Sequence, residues 1–297
     1  MTTYTQINAN KRRSVFLIAI FILIIVGLAY VFSKAYEGGP GFVVLAILFS
    51  LGMALVGYYS GDKVALWSNG AVEVTKEQNP YLVRMVENLA ITAGLPQPRV
   101  YVMQDEMINA FATGRDPQHA SVAVTTGALE KLENEELEGV LAHELSHIGN
   151  YDVRFMTLVA VLVGIISLLA NWFVRAQFFG GRRSNDRGSS AGGYLMIIGI
   201  VLSILAPIAA TLIQLAVSRK REFLADASGV QLTRFPEGLA RALEKIATQD
   251  GRMSRASNAT AHLFIANPFG AVTKHGLSKL FSTHPPVEER IKLLRGM

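Results

Sequence analysis

The sequence predicts a mainly α-helical, polytopic membrane protein with about four transmembrane helices and a small β-sheet in a water-facing domain. Three observations predict it. Hydrophobic residues fill 51% of the 297 positions and charged residues only 17%, against about 25% charged in ordinary globular domains. The charges leave four long uncharged stretches, residues 14–33, 38–61, 155–174 and 188–218. Crossing about 30 Å of hydrocarbon at 1.5 Å per residue takes roughly 20 residues, so each is long enough to span. Between them, residues 62–153 alternate strand-like and helical runs, with β-rich stretches at 99–103 and 121–125.

Composition excludes several classes of function. There is no cysteine, hence no disulfide framework, no thiol nucleophile and no thiolate-ligated metal. Any metal is held by His, Asp or Glu. The net charge of +5, in a chain of mean hydropathy +0.32, reads as a topological signal rather than a nucleic-acid footprint. No nucleic-acid partner is expected.

The elements follow in order. Residues 1–61 form an N-terminal transmembrane hairpin. Its first stretch follows Lys11, Arg12 and Arg13; it is longer than a signal-peptide core and no A-x-A cleavage site follows, which reads as an uncleaved signal-anchor. Residues 62–154 form the first part of a water-facing domain, with helical periodicity over 81–90. Residues 155–217 form a second transmembrane hairpin around a polar linker, 176–193, rich in Gly, Ser and Arg. These stretches are apolar on all sides, which favours spanning over burial in a soluble core. Pro207 and Gly199 are tolerated in a membrane helix. Residues 218–297 form the second part of the domain and read as helical, with a loop at 248–258.

The decisive stretch is His143-Glu144-Leu145-Ser146-His147. Positions i and i+4 share a helix face, so the two imidazoles converge on one ion. Glu144 stands beside that ion rather than on it, where a general base takes a proton from water. Asn134 is a candidate N-cap, Glu135 and Glu136 suit the positive helix end, and Gly149-Asn150 suits its end. A catalytic zinc needs a third protein ligand. Asn150 and Val153 occupy the places where an extended motif would supply it. The best candidate is Glu222 in Ser218-Arg219-Lys220-Arg221-Glu222-Phe223-Leu224-Ala225-Asp226. Asp226, one turn on, would accept the outer N–H of a ligand histidine. One zinc per chain is expected.

Topology offers a check. His147 and Glu222 are separated by two spans, an even number, so both emerge on one side with both termini. That side carries eight basic residues near span ends and the other five, which places it in the cytoplasm. The basic linker at 182–187 is the awkward fact: either it is translocated, or the last two stretches do not fully span.

Together with HELSH and SRKREFLAD, Asn109-Ala110-Phe111-Ala112 and Ser282-Thr283-His284-Pro285 resemble the HtpX family of membrane zinc endopeptidases, relatives of the CAAX prenyl endopeptidases. The resemblance covers essentially the whole chain. It implies a gluzincin-like zinc protease domain at the cytoplasmic face of a bacterial inner membrane. It also implies a stress-responsive quality-control role, with misfolded or damaged membrane proteins as substrates. Carried over, the zinc ligands fall on His143, His147 and Glu222 and the catalytic glutamate on Glu144. Asn109 would touch substrate backbone or help hold the oxyanion, and His284 falls on the family's C-terminal histidine.

The residues are compatible with both additions. Met107 to Thr113 reads as an exposed edge strand able to pair with an extended peptide, although Asn109 also suits a turn. His284 precedes Pro285-Pro286 and an acidic first turn, so it either enters a helix or donates to an oxyanion. Arg290 either pairs with a carboxylate near the site or lies on a solvated face. His119, His262 and His275 have no partner pattern and read as structural or surface residues. Two rivals share some of these features. A prenyl-protein endopeptidase would use the same chemistry, but four spans leave little room for a large intramembrane chamber. A metal carrier would place ionisable residues inside its spans, and these stretches contain none.

Overall fold

A computed structural model describes residues 3–35, 40–180, 219–270 and 285–297. The fourth apolar stretch, most of the polar linker, His275 and His284 lie outside the described residues. Two long helices open the chain, α1 (Thr3–Ala35) and α2 (Pro40–Ser68). They are followed by β1 (Ala71–Glu73), α3 (Pro80–Ala93), β2 (Arg99–Met103), β3 (Ala110–Gly114) and β4 (Ala120–Thr125). Then come α4 (Thr126–Lys131), α5 (Asn134–Gly149), α6 (Asp152–Gly180), α7 (Arg219–Thr233), α8 (Pro236–Thr248) and α9 (Val287–Leu294). The described residues are thus mostly helical with one small mixed sheet.

Among the described residues one helix is long and apolar enough by itself to cross a membrane, Val43–Ser68 within α2. Asn134–Gly149 and Asp152–Leu168 pass that test only as a pair, bent by 86°. The apolar side chains of α1 and α2 that point outward, such as Phe16, Leu23, Leu48 and Leu55, are more than half exposed. On its other face α1 buries Leu17, Phe21 and Ile25 against Phe155, Leu158, Leu162 and Ile165 of α6.

The sheet runs β1-β2-β4-β3, with β2 and β4 parallel and the outer pairs antiparallel. Val100 pairs with Val122, and Ala110 with Val124. Every residue of β4 is buried, in keeping with its β-branched and small side chains, which fit a pleat covered on both faces. The β-rich runs at 99–103 and 121–125 form β2 and most of β4. The three-residue β1 carries too short an alternation to read from sequence.

Local chemistry fixes the helix ends. The side chain of Asn79 accepts from the Leu82 amide at the start of α3, Pro80 takes the first turn, and Gly94 ends it at φ 65°. The entry to α5 differs from expectation. Glu133, not Asn134, is the cap, and its amide donates to Glu136 Oε2 at 2.8 Å. A longer carboxylate does the work expected of an asparagine because Glu136 sits at the third helical position to return the bond. Close helix packing follows from one missing side chain. A Cβ at Gly229 of α7 would lie 3.1 Å from the His143 amide, so glycine lets α7 rest directly on the middle of α5.

Candidate metal centre

His143 and His147 lie one turn apart on α5, their rings 4.7 Å apart and perpendicular at 89°. From α7, Glu222 enters the same space. One donor atom from each of the three residues falls within 4.8 Å of the others, and all three side chains are buried. The two Nε2 atoms are 3.2 Å apart. Glu222 Oε1 is 3.5 Å from His147 Nε2, and its Oε2 is 3.9 Å from His143 Nε2.

Each imidazole is oriented from behind. His143 Nδ1 lies 2.9 Å from Asp226 Oδ1, and His147 Nδ1 lies 3.1 Å from Asp152 Oδ2. A carboxylate only accepts, so each ring carries a proton on Nδ1, and when both imidazoles are neutral, as metal ligands are, the Nε2 lone pairs face each other and Glu222. In that state all three inward-facing groups are acceptors and form a donor set for a cation. Their spacing suits zinc: bonds of about 2.0–2.1 Å in a tetrahedron place ligand atoms about 3.3–3.4 Å apart. The residues therefore fit a zinc ion.

Arg290 of α9 closes the back of the site. Its Nε and Nη2 donate to Asp226 at 2.9 and 2.6 Å, and Nη1 lies 3.8 Å from Glu222 Oε2. Nη2 also approaches His143 Nδ1 at 3.4 Å. Because that nitrogen donates to Asp226, this approach is a charge contact rather than a hydrogen bond. Of the two sequence alternatives for Arg290, the buried carboxylate pair is the one observed.

Burial and the neighbouring charges together set the protonation of the metal-free site. Desolvation pushes Glu144 up to about 7, with the Glu222 charge acting in the same direction against His147, the Ala112 amide and Arg290. Glu144 Oε1 is buried and makes no hydrogen bond in the protein. His143 is pushed down to about 4 by burial, with Asp226 opposing and Arg290 reinforcing. His147 is raised to about 9: burial opposes this, but Asp152, Glu222 and Glu144 outweigh it. Asp226 is held down at about 2, because Arg290 and His143 more than offset its burial.

The edge strand expected over residues 107–113 is found as β3, the outer strand of the sheet, but it is buried rather than exposed. Asn109 lies just before this strand. It is buried, and its Nδ2 donates to the Ala266 carbonyl at 3.1 Å while its Oδ1 accepts from the Ala110 and Ala266 amides at 3.1 and 3.4 Å. The outer edge of β3 is taken in part by the same segment. The Ile265 amide donates to the Ala110 carbonyl at 2.9 Å, and Phe111 bridges Phe264. The nearby chain has paired with this edge because a buried, unpaired strand edge is costly.

Of the other histidines, His119 is half exposed and pairs with Asp116, while His262 is buried and bonded to the Met156 carbonyl. Asp152 is the residue that sequence reasoning missed. Its signal was a carboxylate five residues past His147, just before a long apolar run.

The peptidase family M48 model matches residues 76–297. Proteins described as protease HtpX homologs are similar over nearly the whole chain. That of Caldanaerobacter subterraneus subsp. tengcongensis is 45% identical, covering 100% of this chain and 98% of the relative. That of Dictyoglomus turgidum is 45% identical, covering 100% and 95%. That of Tropheryma whipplei is 44% identical, covering 99% and 98%. Among solved structures, S. mikatae Ste24p has a similar fold, with TM-score 0.51 and 19% identity over 90% of this chain and 62% of that one. The chain belongs to peptidase family M48 and is an HtpX-type metalloprotease.

Proposed function

We propose that this metalloprotease is a membrane-integrated zinc endopeptidase acting on misfolded or damaged membrane proteins as part of stress-responsive quality control. The observation that carries the catalytic reading is the convergence of His143, His147 and Glu222 with Glu144 buried beside them. The first three would hold one zinc ion per chain. When bound, zinc supplies Lewis acidity, which acidifies water and polarises a carbonyl.

The remaining work falls to the protein. Glu144 takes the proton of the attacking water on its carboxylate and returns it to the leaving amine. Glu144 is buried in the same site as the three ligand candidates, so the proton it takes up is kept out of bulk water. Asp226 keeps His143 in one tautomer, with Arg290 behind it. His284 is assigned to the oxyanion from the sequence pattern alone. Asn109 is assigned to substrate backbone or the oxyanion from the sequence pattern alone, and its side chain also holds the Ala266 segment beside β3.

The setting is read as a bacterial inner membrane. Residues 1–61 and 155–217 would form two transmembrane hairpins, with the catalytic parts 62–154 and 218–297 and both termini in the cytoplasm. The basic bias near the span ends supports that side. Because α6 begins three residues after α5 ends, the catalytic helix lies close to the bilayer, which suits substrates that are themselves membrane-bound.

The test is metal analysis and model-substrate cleavage by the purified chain beside Glu144→Ala. Wild type should contain about one zinc per chain and cleave, and the variant should keep the metal and lose cleavage. Cleavage that persists in the variant removes Glu144 from its role, and absence of tightly bound zinc in wild type removes the metal-centre reading.

A further inference from the structure

The corner between α5 and α6 is strained and aims a carboxylate at a metal-ligand candidate. Tyr151 stands there at φ 59°, a left-handed conformation that costs a non-glycine residue free energy and persists only when its surroundings hold it. Its neighbours are Asn150 and Asp152, and Asp152 Oδ2 faces His147 Nδ1 at 3.1 Å.

Both neighbours are held by one side chain from the other end of the sequence. Asn10 Nδ2 donates to the Asn150 carbonyl at 3.1 Å and to Asp152 Oδ1 at 2.8 Å. A carboxamide nitrogen has two protons, and both are used on this corner. Asn10 is buried on α1, next to the Leu17, Phe21 and Ile25 face that packs on α6. Lys11 Nζ lies 4.7 Å from the centre of the Tyr151 ring. Arg221 Nε approaches the same Asp152 oxygen at 3.8 Å, which balances its charge but is too long to orient it.

We propose that Asn10 is a positioning residue for the metal centre, acting through Asp152 on His147, so that the seating of the N-terminal helix sets how tightly the catalytic helix holds its metal. The inference rests on His147 being a ligand. Asn10 fixes which way the Asp152 carboxylate faces, and that carboxylate fixes the tautomer and tilt of the imidazole. A helix rooted at the membrane thereby becomes part of the metal site.

The test uses the full chain in detergent, stripped of metal and titrated with zinc against a chromophoric chelator. Asn10→Ala should weaken zinc binding about tenfold. Asn10→Asp is isosteric but sets a second carboxylate against Asp152, and should weaken it at least as much. Ser14→Ala alters the next turn of the same buried face and should stay within about twofold of wild type. With cobalt in place of zinc, the visible spectrum should change in the two Asn10 variants and not in Ser14→Ala.

Wild-type affinity in Asn10→Asp overturns the proposal, since the exchange removes the donor that faces Asp152. If Asn10→Ala fails to fold, Asn10→Asp decides alone. His147→Ala separates the two levels of the argument. If it loses zinc while the Asn10 variants bind normally, only the positioning role is wrong; if it too binds normally, the ligand assignment falls and this inference with it.

Discussion

His143 Nδ1 and Asp226 Oδ1 face each other at 2.9 Å, and the same carboxylate accepts from both Nε and Nη2 of Arg290. One buried anion therefore orients a histidine and neutralises a buried cation. Neither residue is replaceable alone, because removing one partner of a buried pair leaves an uncompensated charge.

Arg290→Met should cost about 3–5 kcal/mol of stability. It should also move the acid limb. Asp226 is held down at about 2 against an ordinary 3.8, so the stability it contributes is complete above about pH 4 and is lost as pH falls towards 2. Without Arg290 the carboxyl rises towards its ordinary range, so this group loses less stability on acidification and the gap between variant and wild type narrows as pH falls below about 4. Unfolding followed from pH 3 to 6 checks this, and an acid limb identical to wild type would contradict it.

Glu144 has the opposite sign. It is raised from 4.5 to about 7 by burial, so the folded metal-free protein binds the extra proton and loses stability as pH rises through that window. At about 1.4 kcal/mol per unit, the loss is on the order of 3 kcal/mol by neutral pH. Glu144→Gln keeps the shape and removes the titration. Its melting advantage over wild type, both stripped of metal, should be small at pH 5 and large at pH 8; a constant difference would refute the assignment.

Asn109→Ala leaves the Ala110 and Ala266 backbone groups without their partner. The cost should be about 1–3 kcal/mol, visible as a lower melting temperature in the absence of substrate. A raised KM with unchanged melting would instead mean that Asn109 serves substrate backbone directly.

A reporter fused at Ser189, in the polar linker, should behave as periplasmic under the four-span reading. A cytoplasmic signal would mean that the third and fourth apolar stretches do not both cross.

The candidate metal cluster was legible in the chain because it is local. A helix puts residues four apart on one face wherever it forms, so His143 and His147 needed only their spacing, and Glu222 and Asp226 only theirs. The strands at 99–103 and 121–125 were legible for the same reason: alternation and β-branching belong to consecutive residues. Contacts over long sequence separation carry no such period. Asn10 and Asp152 are 142 positions apart and Asn109 and Ala266 are 157 apart, and only packing brings them together. Sequence alone determined the candidate ligand types and the helix that presents two of them. The tertiary structure decided what stands behind each imidazole and what lies along β3, because buried polar groups take whatever partners the fold delivers.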